Sequence, residues 1–167
     1  LKKHHFIIIM MTIIFSTGLL KNMVFAEYQV EGDSMQPTLK KGQEFSVNKW
    51  SYSFRKIKRF DIVVFHLEKE EPVFVKRVIG LPGESIKYEN DQLFVNGKKV
   101  EEPFLKKNKK NLFGSQLTGD FTLEEVTGKK KVPKGYIFVI GDNRLNSRDS
   151  RHFGFVKMND VIGKVNQ

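Results

Sequence analysis

Ser34 stands in Gly32-Asp33-Ser34-Met35-Gln36-Pro37-Thr38-Leu39, where a glycine and a proline-bearing turn flank its hydroxyl. Such a corner presents an alcohol rigidly, as attack on a carbonyl requires. The same composition also makes ordinary turns, in which serine and aspartate bond their own backbone. A base would decide between the two, and Lys76 is the candidate. Strand side chains alternate, so residues 73–79 would set Phe74, Lys76 and Val78 on one face and Val75 and Arg77 on the other. A lysine between large apolar neighbours either snorkels to water or is desolvated. Desolvation disfavours the ammonium, and a fall of roughly 2 to 3 pH units makes the amine a base near neutral pH. A third stretch, residues 141–151, sets Asp142, Arg144, Arg148, Asp149 and Arg151 beside Ser147 and Ser150. It is either a solvated charged turn or, following directly on an apolar run, a partly buried segment. In the second case its charges need partners, within the loop or between Asp142 and Arg77.

The elements that would hold these groups read as short strands. Residues 61–67 are β-branched and mostly apolar, residues 73–79 follow after a turn at Pro72, and residues 135–140 are again apolar. Leu81-Pro82-Gly83-Glu84 suits a type II turn, and Asn96-Gly97 between residues 92–95 and 98–100 is a hairpin signal. Residues 44–48 alternate weakly. No helical period occurs after residue 26. The expectation is a mainly β, antiparallel domain over residues 27–167, with residues 103–134 as a lysine-rich surface excursion.

The chain has 167 residues, 40% hydrophobic and 29% charged, which is a globular rather than a disordered balance. Without cysteine, disulfides and thiol chemistry are excluded. Carboxylates and histidines lack ligand spacing, so no metal or cofactor is implied. The net charge of +10 points to an anionic partner surface, nucleic acid or an anionic membrane. Lys2 and Lys3 precede an apolar run, residues 6–20, that resumes at residues 23–26. Counted to Ala26, the run is long enough for one transmembrane helix, with the N-terminus cytoplasmic and the remainder outside. A cleaved signal peptide ending at Val24-Phe25-Ala26 fits the same residues. Residues 50–59, aromatic and basic together, are either a solvated loop with buried rings or a belt resting on lipid headgroups.

Taken in order, the motifs resemble those of type I signal peptidases, membrane-anchored serine–lysine peptidases that remove signal peptides. Ser34-Met35-Gln36-Pro37-Thr38-Leu39 matches the nucleophile motif, and Arg59-Phe60-Asp61-Ile62-Val63-Val64-Phe65 a strand motif with Phe60 where glycine is commoner. Lys76-Arg77-Val78-Ile79-Gly80-Leu81-Pro82-Gly83-Glu84 matches the lysine motif, and residues 141–151 the last one. The short chain with a single apolar segment looks like the Gram-positive type. The resemblance implies Ser34 as nucleophile, neutral Lys76 as general base, and Ser147 orienting the amine. It implies an Arg77–Asp142 ion pair, Asp149 and Arg151 stabilising the same wall, and the Ser34 N–H as an oxyanion donor. Gram-negative relatives carry a serine where this chain has Gly32, so the second donor is open. Tyr28, Val30, Met35, Leu39, Phe74 and Val75 match segments lining shallow pockets for small residues at the first and third positions before the cut. The implied partners are signal peptides of exported preproteins and the cell membrane, not nucleic acid. Retention of the anchor is favoured, since tethering raises effective concentration.

Three other classes fit parts of the pattern. A serine–histidine–aspartate hydrolase would use His66 or His152, the latter near Asp149, but neither neighbourhood matches a triad motif. A repressor-type self-cleaving protein would carry a DNA-binding domain where this chain has the apolar run. A non-catalytic binding protein on the same scaffold would be expected to lack the serine or the lysine.

Overall fold

Among the described residues of the computed structural model every strand pairing is antiparallel, and the strands form two sheets. The structure describes residues 25–49, 56–67, 72–110 and 114–165. The larger sheet has seven strands in the order β1 (Phe25–Gln29), β2 (Glu44–Asn48), β11 (Val161–Val165), β3 (Ile62–Phe65), β4 (Phe74–Gly80), β9 (Tyr136–Ile140) and β10 (Val156–Lys157). The smaller has four, β7 (Lys98–Val100), β6 (Gln92–Val95), β5 (Ile86–Glu89) and β8 (Phe121–Thr122). Mainly antiparallel β structure is therefore the fold class, as the sequence indicates.

The central strands are continuous apolar runs because both of their faces are covered. Ile62 and Val64 of β3 pack with Val30, Met35, Leu39, Phe45 and Val47, while Val63 and Phe65 pack with Val78, Ile137 and Val139. The half-buried strands alternate instead: Ile86 and Tyr88 of β5 are buried, and Lys87 and Glu89 are exposed. The turn residues serve as their types require. Asn96 and Gly97 both have positive φ, as a two-residue type I′ hairpin needs, and Gly83 has φ +86 in the turn after β4.

Residues 103–134, expected as a lysine-rich surface excursion, carry elements of their own. They hold a 3₁₀ turn at Pro103–Leu105, helix α1 (Lys106–Lys110), β8 and helix α2 (Leu123–Thr127). Leu105, Leu117, Leu123 and Val132 are buried, which ties the segment to the domain. Thr122 and Glu125 close a capping box on α2, a local signal that its short length hides from periodicity. Helix α3 (Ser150–Phe153) and a 3₁₀ turn at Met158–Asp160 complete the described elements.

The expected transmembrane segment lies outside the described residues up to residue 24, as does most of the aromatic and basic stretch 50–59. Phe25 and Ala26, the end of the apolar run, are the first residues of β1, so the sheet begins inside what the sequence counts with the anchor. Among the described residues no helix is long and apolar enough to cross a membrane.

Candidate active site

Three segments distant in sequence meet beside β1. Residues 31–39 leave β1 as a closed turn, in which the Gln36 N–H bonds the Asp33 carbonyl and the Leu39 N–H bonds the Met35 carbonyl. Met35 and Leu39 root it in the core, at 0% and 4% exposure. Residues 141–151 follow β9 and grip the turn: the Asn143 N–H donates to the Ser34 carbonyl at 2.9 Å, and the Asn143 side-chain amide to the Asp33 carbonyl at 3.1 Å. This approach is possible because residue 141 is glycine. A Cβ there would lie 2.5 Å from the Ser34 carbonyl oxygen and would collide with Ser147 Oγ.

From β4, Lys76 reaches into this junction. Its Nζ lies 2.6 Å from Ser34 Oγ and 2.9 Å from the Val75 carbonyl oxygen. The residue is 4% exposed, and the amine lies 5.7 Å from the centre of the Phe74 ring. Desolvation pushes the Lys76 amine down to about 8, against the opposing pull of the Asp149 carboxylate. The lysine is thus the buried kind, not the snorkelling kind.

The supporting charges are buried and paired. Arg77 binds Asp142 through two hydrogen bonds, of 2.8 and 2.6 Å, and donates to the Phe60 carbonyl. Its guanidinium carbon stands 3.9 Å from the centre of the Phe104 ring. Asp142 also accepts from Thr38, tying the same carboxylate to the turn that carries Ser34. Asp149 takes two side-chain bonds from Arg151, of 2.9 and 2.8 Å, and one from the Gly141 N–H. Burial pushes the Asp149 carboxyl up, but the Arg151 guanidinium and that N–H outweigh it and hold it below the usual range. Ser147 Oγ is buried beside Gly141 and near Asp149, yet it has no hydrogen-bond partner of ordinary geometry among the described residues. Among the described residues the amine hydrogen-bonds Ser34 and Val75, and the expected bond from Ser147 to Lys76 is not formed.

A groove of about 600 Å³ opens beside the pair, lined by both Ser34 and Lys76. Tyr28, Val30, Phe74 and Val75 line it as expected. Met35 and Leu39 do not: both point into the core behind the turn, packed with Phe45, Val47 and Val64. Sequence reasoning missed Phe45, Pro72 and Val73, which also line the groove.

It also missed two polar anchors. Asn108 of α1 donates to the Asp142 carbonyl at 3.0 Å and to the Gln36 carbonyl at 3.4 Å, bridging two of the site's segments. Arg144, 2% exposed, binds Tyr88 at 3.0 Å, Thr118 at 2.9 Å and Glu102, joining the smaller sheet to the site loop. A charged loop that must cross to a second sheet was the available signal. Phe60 is held at φ 70, where glycine costs least. Its ring against Phe104, with centroids 5.2 Å apart, and its bond from Arg77 offset that strain.

Neither His66 nor His152 contacts Ser34 or Lys76 among the described residues. His66 lines a separate cavity with Lys157 and Asp160, and His152 is exposed, accepting from the Asp149 N–H in the cap of α3. The described residues contain no cluster of metal-ligating side chains.

An antiparallel β domain thus brings a buried lysine amine against a turn-borne serine beside a groove, an arrangement chemically suited to acyl transfer. A family model described as signal peptidase, peptidase S26, matches residues 3–167. Signal peptidase I of Bacillus caldolyticus is 62% identical over 146 residues, spanning 87% of this chain and 80% of that protein. Signal peptidase I V of Bacillus subtilis is 56% identical over 146 residues, spanning 87% and 86%. The crystal structure of a signal peptidase I from Enterococcus faecalis aligns with a TM-score of 0.64 at 44% identity, covering 67% of this chain and 98% of that one. The chain belongs to the signal peptidase family, peptidase S26, and is a serine endopeptidase of the signal peptidase I kind.

Proposed function

We propose that the chain removes signal peptides from exported preproteins with Ser34 as nucleophile and neutral Lys76 as general base. With the amine uncharged, the Ser34 O–H donates to the Nζ lone pair. Ser34 Oγ then attacks the carbonyl carbon of the scissile bond while Lys76 takes the proton. The C–N bond breaks as Lys76 returns that proton to the leaving amine, and the released chain is the mature protein. Lys76 next deprotonates a water that attacks the acyl ester, and its proton goes back to Ser34 Oγ. The Ser34 N–H has no acceptor among the described residues, so it is free to donate to the oxyanion. Arg77–Asp142 and Arg151–Asp149 hold the two walls, and Asp149 sets the amine's charge balance.

The substrate runs extended along the open edge of β1, its first and third residues before the cut seated on the apolar floor. Tyr28, Val30, Phe74 and Val75 line that floor, and the selection of small side chains follows if larger ones clash with it. The apolar N-terminal residues are read as a single transmembrane anchor. It places the catalytic domain on the extracytoplasmic side of the cell membrane, where the lysine-rich surface meets anionic lipid. The observation that carries the mechanism is the 2.6 Å approach of a buried Lys76 Nζ to Ser34 Oγ. Its test is digestion of a panel of preproteins by the purified full chain in detergent, with Ser34→Ala as control. Cleavage after small residues that depends on Ser34 supports it, and intact preproteins or a control of equal activity overturn it.

A further inference from the structure

The groove has a charged side as well as an apolar floor. Among the described residues β1 pairs only with β2, so its other edge is open. Across the groove, Phe74, Val75 and Lys76 pair with β3 on one side, while β9 joins β4 only from Arg77 onward. An extended peptide in the groove therefore adds to a free strand edge, and its side chains share faces with those of β1. Along β1 and its continuation, Tyr28 and Val30 turn inward, and Glu27, Gln29 and Glu31 are exposed. All five line the groove.

Parity fixes the outcome without knowledge of the register. If the first and third residues before the cut lie on the floor with Tyr28 and Val30, the second and fourth share the face of Glu27, Gln29 and Glu31. A shift by two residues changes which glutamate is opposite and leaves the face unchanged. Two of the three groups on this face are carboxylates, in a chain of net charge +10. Among the described residues the cations lining the groove are Lys76 and Arg148, and Arg148 belongs to the loop after β9 and not to β1. The exposed Lys40 and Lys41 do not line the groove.

We infer that Glu27 and Glu31 are specificity-determining residues that favour lysine or arginine at the even-numbered positions before the cut and disfavour acidic residues there. This rests on the peptidase role proposed for the groove. Opposite charges directly across a strand pair favour binding by about 1.4- to fivefold per pair, and like charges oppose it.

The experiment compares three otherwise identical peptides, with alanine at the first and third positions and lysine, glutamine or glutamate at both the second and fourth. The full chain is assayed in nonionic detergent. The expected kcat/KM for the lysine peptide exceeds that for the glutamate peptide by at least about threefold, and the ratio shrinks in 0.5 M salt as screening requires. In Glu27→Gln/Glu31→Gln the ratio falls toward one, and in Glu27→Lys/Glu31→Lys it inverts. A wild-type ratio of one, or a ratio that both double variants leave unchanged, overturns the inference while cleavage of the glutamine peptide upholds the peptidase role. If the glutamine peptide is not cleaved, the peptidase role fails and the inference fails with it.

Discussion

Replacing Lys76 with methionine should abolish turnover and at the same time stabilise the fold. Methionine keeps most of the side chain's volume and removes an amine that folding strips of water. The depression from 10.5 to about 8, at about 1.4 kcal/mol per pH unit, corresponds to about 3 kcal/mol of opposition to folding. The sign follows from proton counting. Below pH 8 both the folded and the unfolded chain hold the proton, and the native state bears the full cost. Between pH 8 and 10.5 the unfolded chain holds more protons at this site than the native one, so stability rises with pH. Above that window the cost is gone. Lys76→Met lacks this dependence. Its lost hydrogen bonds to Ser34 and Val75 cost about 1 kcal/mol each, which leaves a net gain of about 1–2 kcal/mol at pH 7. Urea denaturation of both proteins at pH 7 and pH 10.5 measures this, and their difference cancels the titration of other groups. The variant should be the more stable at pH 7 and should lose its advantage by pH 10.5. An equal or lower stability at pH 7, with parallel pH curves, would refute the claim that this amine is desolvated.

Asp149→Asn removes the carboxylate that raises the Lys76 amine. The acid limb of its kcat/KM profile should therefore move to lower pH, although the protein will melt earlier because half-buried Arg151 loses its carboxylate partner. Arg144→Met should destabilise by about 3–5 kcal/mol in urea titrations, since it leaves Glu102 buried and unpaired. Adding Glu102→Leu should recover most of that loss. Gly141→Ala pushes on the Ser34 carbonyl and on Ser147, so single-turnover assays should show kcat down by at least about tenfold, with KM changed far less.

What could be read from the chain was whatever one segment settles by itself. Asn96-Gly97 dictates its turn by backbone sterics, and the runs at residues 62–65 and 136–140 bury themselves on both faces. The pairing of Ser34 with Lys76 came from matching motifs, because 42 residues separate them and nothing local shows that they meet. The unread parts depend on tertiary partners. Asn108 looks like one polar residue in a lysine run until α1 lies against the nucleophile turn. Arg144 looks like a solvated loop charge until Glu102 and Tyr88 arrive from the other sheet. Met35 and Leu39 are adjacent to the groove in sequence, yet the turn of residues 31–39 swings them into the core.

The pH dependence of kcat/KM on a single preprotein tests the central claim most directly, because it reports the charge of the proton acceptor in the free enzyme. If Lys76 must be neutral, activity falls about tenfold per pH unit below an apparent pKa near 8, and His152→Ala leaves that limb in place. An acid limb near pH 6 to 7 that disappears with His152, or a rate that is flat down to pH 6, would contradict the account.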